Sequence, residues 1–426
     1  MNNKKYHIET LAIHAGQSPD PVTLSRAVPI YRTTAYNFKS SEHAANLFSL
    51  KEPGNIYSRL MNPTNDVLEQ RLAALEGGAA ALTFSSGTAA IYFALTNICK
   101  CGDEIVSANN LYGGTFTQFD AILPQNGINV RFTPVNDFFA VEAAINEHTK
   151  AIFIETVGNP TLEIADIEGY AKIAQKHKLP LVVDSTFTPP TLLRPIEHGA
   201  NIVIHSLSKW ICGHGTGIGG IVIDAANFDW SDTKFTLYNE PDRGYHGLRF
   251  AHDLGQLNKL AYILRLRTVG LRNQGASLSP DAAWIFLQGV ESLTLRMIKH
   301  SENALQVAKF LAGHPKVAWV KYPGLADSPL SKKYLSQGAG GMVVFGVKGG
   351  SKEAVKLVDN IKLFSLLANV GDAKSLIIHP ASTTHSQLSD EDQRKAGLQP
   401  ELIRLSIGIE HIDDIIGALA DALSLV

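Results

Sequence analysis

Seven short apolar runs set the tightest limit on the fold: AALTF (80–84), EIVSA (104–108), NVRFT (129–133), AIFIE (151–155), LVVD (181–184), IVIH (202–205) and GIVID (220–224). Most are separated by helix-length segments such as IEGYAKIAQKHK (167–178). Strands buried on both faces read as unbroken apolar runs, and parallel neighbours need a crossover long enough to hold a helix. The alternation therefore predicts an α/β fold on a mainly parallel seven-stranded sheet.

Around this unit the chain changes character. Residues 1–60 show no sustained periodicity and hold Pro19, Pro21, Pro29 and Pro53, so they read as an irregular arm. Order begins at NPTNDVLEQRLAALEGG (62–78): Asn62 can cap a helix, Pro63 suits its first turn, Val67, Leu68, Leu72 and Leu75 share a face, and Gly77 and Gly78 stop it. The α/β domain is expected over 61–270, its last part, 225–270, reading as a long surface insertion. From 271 to 426 an amphipathic helix (296–314), shorter strand candidates GMVVFGV (341–347) and IRLSIGI (403–409), and a final helix (412–426) predict a smaller α+β domain.

Composition narrows the function classes. Among 426 residues, 38 Lys and Arg against 40 Asp and Glu give a net charge of −2, with no basic excess for nucleic acid or an anionic membrane, so small molecules are the expected partners. Three cysteines, Cys99, Cys101 and Cys212, make no disulfide framework and fit a reducing compartment. The N-terminal residues lack an apolar signal core, and no apolar run approaches a membrane span, so a cytoplasmic location is expected. Cys99-x-Cys101 and Cys212-x-His214 lack a second ligand pair at zinc-like spacing, and no metal is expected.

In an open parallel sheet, ligands gather at the carboxyl ends of the strands. That rule selects Asp184 at the end of LVVD, Lys209 just past IVIH, and SSGTAA (85–90), which follows ALTF and opens a helix. Each has an ordinary reading: a capped helix start, a loop carboxylate, a solvated lysine. Together they are more specific. Ser206 and Ser208 flank Lys209 with hydroxyls, Trp210 and Ile211 are apolar, and GHGTGIGG (213–220) admits close backbone approach, so the lysine would be partly desolvated and its amine more nucleophilic. A cofactor with a phosphate, an aldehyde and a basic ring nitrogen would use all these groups. Pyridoxal phosphate has that composition: Lys209 would form the Schiff base, Asp184 would keep the ring nitrogen protonated, and the phosphate would sit on Gly87, Thr88, Ser206 and Ser208, with Ser86 beside them. Tyr112 in NNLYGGTF could stack on the ring or be a half-buried turn aromatic.

VDSTFTPP (183–190), HSLSKWICGHG (205–215), SSGTAAIYFAL (85–95), NLYGGT (110–115), ETVGNP (155–160), YSRLMNPT (57–64), HPASTTH (379–385) and RLSIGIE (404–410) together resemble the Cys/Met-metabolism family of pyridoxal phosphate enzymes. The resemblance implies the aspartate-aminotransferase type of fold (type I). Within the family, ANVGDAKSLIIHPASTTHSQL (368–388) is similar to the O-acetylhomoserine sulfhydrylases. It implies that Asn159 contacts the ring hydroxyl, that Arg404 pairs with the substrate α-carboxylate near Asn369 and Val370, and that Tyr57 and Arg59 reach a neighbouring subunit's phosphate. A homotetramer built from dimers with shared active sites follows from the same resemblance. The implied reaction is a γ-replacement in methionine biosynthesis: O-acetylhomoserine loses acetate from Cγ, and sulfide, free or from a carrier, takes its place to give homocysteine. Lys209 would carry protons, and Tyr112 would assist if ionised. Asn369-Val370-Gly371 replaces the Ser-Leu-Gly of many relatives, which speaks against cystathionine γ-synthase. Gly114 stands where methionine γ-lyases have cysteine, which speaks against γ-elimination. The alternative from another class is a non-enzymatic phosphate-binding or assembly protein.

Overall fold

A computed structural model describes residues 6–325, 328–383 and 398–426. Its centre is a seven-stranded sheet: β1 (Ala80–Phe84), β2 (Glu104–Ala108), β3 (Asn129–Thr133), β4 (Thr149–Glu155), β5 (Leu181–Asp184), β6 (Ile202–Ser206) and β7 (Gly220–Asp224), in the order β1-β7-β6-β5-β4-β2-β3. Only β7 is antiparallel to its neighbours, so β1 to β6 end on one edge. Alternate side chains enter two separate apolar layers. Ile152, Ile154, Val183 and Val203 face one, and Phe153, Val182, Ile202 and Ile204 face the other.

The first long helix, Pro63–Glu76, forms for the reasons its sequence suggests: Asn62 Oδ1 accepts from the Thr64 amide, Pro63 opens it, and Gly77 ends it at φ +78°. Leu68, Leu72 and Leu75 are fully buried. The helix also buries Glu69, whose Oε1 accepts from the amide and hydroxyl of Thr83 on β1 and whose Oε2 receives Arg267 at 2.5 Å. A buried carboxylate bonded on both oxygens in this way fixes the helix on the sheet.

A second, five-stranded sheet lies in the C-terminal part: β8 (Val317–Lys321), β9 (Met342–Val347), β10 (Ser365–Leu366), β11 (Leu376–Ile378) and β12 (Leu402–Ser406), ordered β10-β11-β12-β9-β8. Helices Leu293–Ala312, Ser351–Asn360 and Ile412–Ser424 cover its core. The run SDEDQRK (389–395), read from sequence as a solvated helix start, lies outside the described residues, as do the last two residues of HPASTTH.

Two segments differ from their sequence reading. Residues 1–60 contain helices Ile8–His14 and Ser41–Phe48, and the first seats on its own chain: Ala12 is buried and Arg71 donates to the Ala15 carbonyl. A helix of under two turns leaves no periodicity to detect. Segment 225–270 is not a surface insertion. Trp230, Phe235, Tyr238, Tyr245, Phe250 and Tyr262 are buried in the layer against the sheet, with Trp230 stacked on Tyr238 and Tyr262. These aromatics are irregularly spaced because short helices and turns carry them, so no period marks their burial.

Beside that layer Asp224 ends β7 at 3% exposure, and its Oδ1 accepts from the Ala226 amide. Burial pushes its carboxyl up from 3.8 to about 7. The folded state thus keeps a proton that the unfolded chain releases between those values. Stability is complete below pH 3.8, falls as pH rises toward 7, and stays reduced above it. Asp224→Asn should match wild type near pH 4 and be more stable above pH 7, by on the order of 2–4 kcal/mol. Thermal unfolding of both proteins across pH 4–8 measures this, and a constant difference would contradict it.

Candidate active site

Since β1 to β6 run together, their ends collect on one edge, and the sequence candidates divide there. Glu155, Asp184 and Ser206 end β4, β5 and β6 and share the sheet face that carries Phe153, Val182 and Ile204. Helix Gly87–Thr96 lies against that face, capped by Ser86, whose Oγ accepts from the Ala89 amide. The Gly87 and Thr88 amides in its first turn have no intrahelical acceptor. Gly87 permits the approach: a Cβ there would stand 2.7 Å from Ser206 Cβ. Gly220, paired with both Phe84 and Ser206, would meet the Ser86 carbonyl if it bore a side chain. Ser206 is half-buried and Thr88 exposed, both beside the helix start. Ser208, also half-buried, accepts from the Gly219 amide on its Oγ at 2.9 Å.

Lys209 is half-buried, and its Nζ donates to Asn369 Oδ1 at 2.6 Å. Burial first, and the Arg404 cation second, lower its ammonium from the ordinary range, which favours the free amine. Arg404, on β12, is 9% exposed; it donates to Asn159 Oδ1 at 3.1 Å and meets no carboxylate among the described residues. Burial lowers this guanidinium to about 10, with Tyr112 acting against the shift. Tyr112, at the start of helix Gly113–Thr117, is half exposed, and its amide donates to Glu155 Oε1 at 2.8 Å. Asp184 is buried and takes the Thr186 amide on Oδ1 at 2.8 Å.

The structure thus joins Lys209, Asn369, Asn159, Arg404 and Tyr112, and sets Asp184, Ser206, Ser86, Gly87 and Thr88 along the same edge. Val370 is buried in the apolar layer that holds Trp210. Tyr57 and Arg59 stand apart: both are exposed, the Arg59 guanidinium lies 5.1 Å from the Tyr57 ring centre, and among the described residues no hydrogen bond ties either to Lys209. No group of three or more His, Cys, Asp or Glu suited to a metal occurs among the described residues.

Two contributors, Glu155 and Arg296, and the contact made by Gly371 escaped the sequence reading. Glu155 ends its strand just as Asp184 does, and the strand-end rule would have selected it. Arg296 has no such signal; it is buried under the lysine turn, donating to the carbonyls of Trp210 (2.7 Å), Ile211 (3.0 Å) and Gly289 (2.7 Å). Gly371 adopts φ +81°, and a Cβ there would lie 2.5 Å from the Trp210 amide and 2.8 Å from the Lys209 carbonyl carbon. Only glycine lets this C-terminal loop rest on the lysine backbone. Gly371→Ala should therefore lift Asn369 from Lys209 and lower turnover by roughly tenfold or more, the loss of one hydrogen bond. Initial-rate assays check this, and a rate equal to wild type would show the contact to be dispensable.

A family profile, Cys/Met metabolism PLP-dependent enzyme, matches residues 9–424. The chain belongs to that family. As a member of the Cys/Met family it has pyridoxal phosphate as its cofactor. It is 51% identical to O-acetyl-L-homoserine sulfhydrylase of Leptospira meyeri, over 99% of this chain and 97% of that one. It is likewise 51% identical to homocysteine synthase of Schizosaccharomyces pombe, over 98% of each. A crystal structure from Campylobacter jejuni, described as an O-acetylhomoserine (thiol)-lyase with N'-pyridoxyl-lysine-5'-monophosphate, superposes with a TM-score of 0.94 at 45% identity and covers 98% of this chain and 100% of that chain. The expected fold type and family are thereby established.

The residues of this family member suit the cofactor. Asp184 and Glu155 are buried acids with no Lys or Arg ion pair among the described residues, where a protonated ring nitrogen would be welcome. The helix start at Gly87 offers free amides for a phosphate. Lys209 is a half-buried amine whose ammonium form burial disfavours, the direction imine formation needs.

Proposed function

We propose that the protein converts O-acetylhomoserine and sulfide to homocysteine and acetate. The carrying observation is the buried Arg404 guanidinium, which meets no carboxylate among the described residues, set beside the desolvated Lys209 amine: together they form a receptor for an amino acid's α-carboxylate next to a base. The relatives named for this reaction, about half identical over nearly their whole length, support it.

Pyridoxal phosphate, when bound, supplies an aldehyde for amine attachment and a ring that withdraws electrons from the substrate's α-carbon. Lys209 would be the amine attached at rest, Asp184 would hold the ring-nitrogen proton, Asn159 would meet the ring hydroxyl, and Tyr112 would cover the ring. The amides and hydroxyls at Ser86, Gly87, Thr88, Ser206 and Ser208 would hold the phosphate. Arg404 forks onto the substrate carboxylate, which orients Cα toward Lys209. As a free amine, Lys209 takes the proton from Cα and then one from Cβ; acetate departs from Cγ, sulfide adds there, and Lys209 returns the protons to Cβ and Cα. Asn369 holds the amine by its Nζ, and Val370 stiffens the loop behind it.

Exposed Tyr57 and Arg59 fit a phosphate contact across a dimer, with two dimers forming a tetramer; the arm (1–60), the cofactor domain (61–270) and the C-terminal domain (271–426) would be its units. No helix among the described residues is long and apolar enough to cross a membrane, and we place the enzyme in the cytoplasm.

The test is to supply O-acetylhomoserine with sulfide, with cysteine, and with neither. Homocysteine formed only with sulfide supports the assignment. Cystathionine as the main product with cysteine, or a 2-oxo acid and ammonia with neither, would replace it with γ-synthesis or γ-elimination.

A further inference from the structure

Glu155 and Asp184 are register partners on the parallel strands β4 and β5, so they project to the same face from backbones about 4.8 Å apart. They are 7% and 8% exposed. Two buried acids so placed do not both ionise readily, because each charge opposes the other where water screens little. Their surroundings differ. Asp184 Oδ1 receives the Thr186 amide, and the Thr186 hydroxyl adds a second bond; that hydroxyl also accepts from the Ser206 amide at 2.9 Å. Glu155 has one partner among the described residues, the Tyr112 amide on Oε1.

We propose that Glu155 is a positioning residue that serves as a neutral carboxylic acid: Oε1 anchors the Tyr112 backbone while the retained proton leaves the pair's negative charge to Asp184. Tyr112 would then be held in place to cover a bound cofactor ring, and Asp184 would be left as the anion available to a ring nitrogen. Burial pushes Glu155 well above the ordinary carboxylate range, with Asp184 adding to the rise. Burial also raises Asp184, but both Thr186 bonds and the His205 ring draw it back. No other charged side chain among the described residues is found acting on either acid. A neutral carboxyl beside the acid that holds the ring nitrogen also keeps a second anion from competing for that proton.

The inference rests on Asp184 and Tyr112 belonging to the cofactor site, and its test separates the two claims. Full-length wild type, E155Q, E155A and D184N are freed of cofactor and titrated with pyridoxal 5'-phosphate from pH 6 to 9, with thermal unfolding recorded for each. E155Q keeps a neutral acceptor and should bind within about threefold of wild type with the same pH profile, whereas E155A should bind roughly tenfold more weakly, the loss of one hydrogen bond. E155Q as weak as E155A, at equal thermal stability, would show that Glu155 works as an anion and would overturn the proposal. E155A binding like wild type would do so as well. Should E155A not fold, E155D replaces it; too short to reach the Tyr112 amide, it should also bind weakly, and wild-type affinity from it would count against the proposal. D184N binding like wild type would instead remove Asp184 from the cofactor site.

Discussion

Lys209→Ala is expected to abolish turnover, with a loss of roughly 10,000-fold or more, because one substitution removes both the attaching amine and the proton carrier. The loss should be chemical rather than structural. The turn around residue 209 is held from below by Arg296, which bonds the Trp210 and Ile211 carbonyls, and from above by Gly371. Neither contact uses the lysine side chain. The variant should therefore fold, and it should still take up cofactor without covalent attachment through Asp184 and the helix start at Gly87. Borohydride reduction followed by peptide mass analysis reads this directly. Wild type should carry the reduced adduct on the peptide containing Lys209, and the variant should carry none. Activity above about 1% of wild type would contradict the role given to this residue.

Asp184→Asn should follow with a loss on the order of 100-fold in turnover and weakened cofactor binding, the scale of one buried charge-assisted bond. The amide keeps the Thr186 contact on its oxygen but presents no negative charge to a ring nitrogen. Its neighbour cannot replace it, because Glu155 has one oxygen engaged by the Tyr112 amide. Steady-state rates and cofactor titration of the purified variant measure both effects. A rate within a few fold of wild type would mean that the ring nitrogen lies elsewhere along the edge.

Much of the large sheet was legible in the chain. The seven apolar runs coincide with β1 to β7, except that β4 begins at Thr149 and β6 extends to Ser206. Dense β-branched runs between helix-length segments leave few other structures. Strand order was not legible, because β7 slots between β1 and β6 through packing that no local pattern records. The strand-end rule found Asp184 and the lysine turn, since side chain and backbone chemistry there lie within a few residues. It could not find Arg296 or the seat of Gly371, whose roles exist only once segments far apart in sequence meet. The buried aromatics between Trp230 and Tyr262 were missed for another reason: their burial follows turns and has no repeat.

The bond from Lys209 to Asn369 spans 160 residues, and that from Arg404 to Asn159 spans 245. Protein synthesis proceeds from the N-terminus, so the strands that present Asp184 and Ser206 can pair while the loop that grips the lysine is still unmade. Lys209 receives its partner only after residue 369 is made, and Asn159 meets Arg404 later still. A polypeptide halted before residue 369 holds Lys209 without its Asn369 partner and lacks Arg404. The contacts that tie the large sheet's edge to the C-terminal part thus close well after the strands they join have been made.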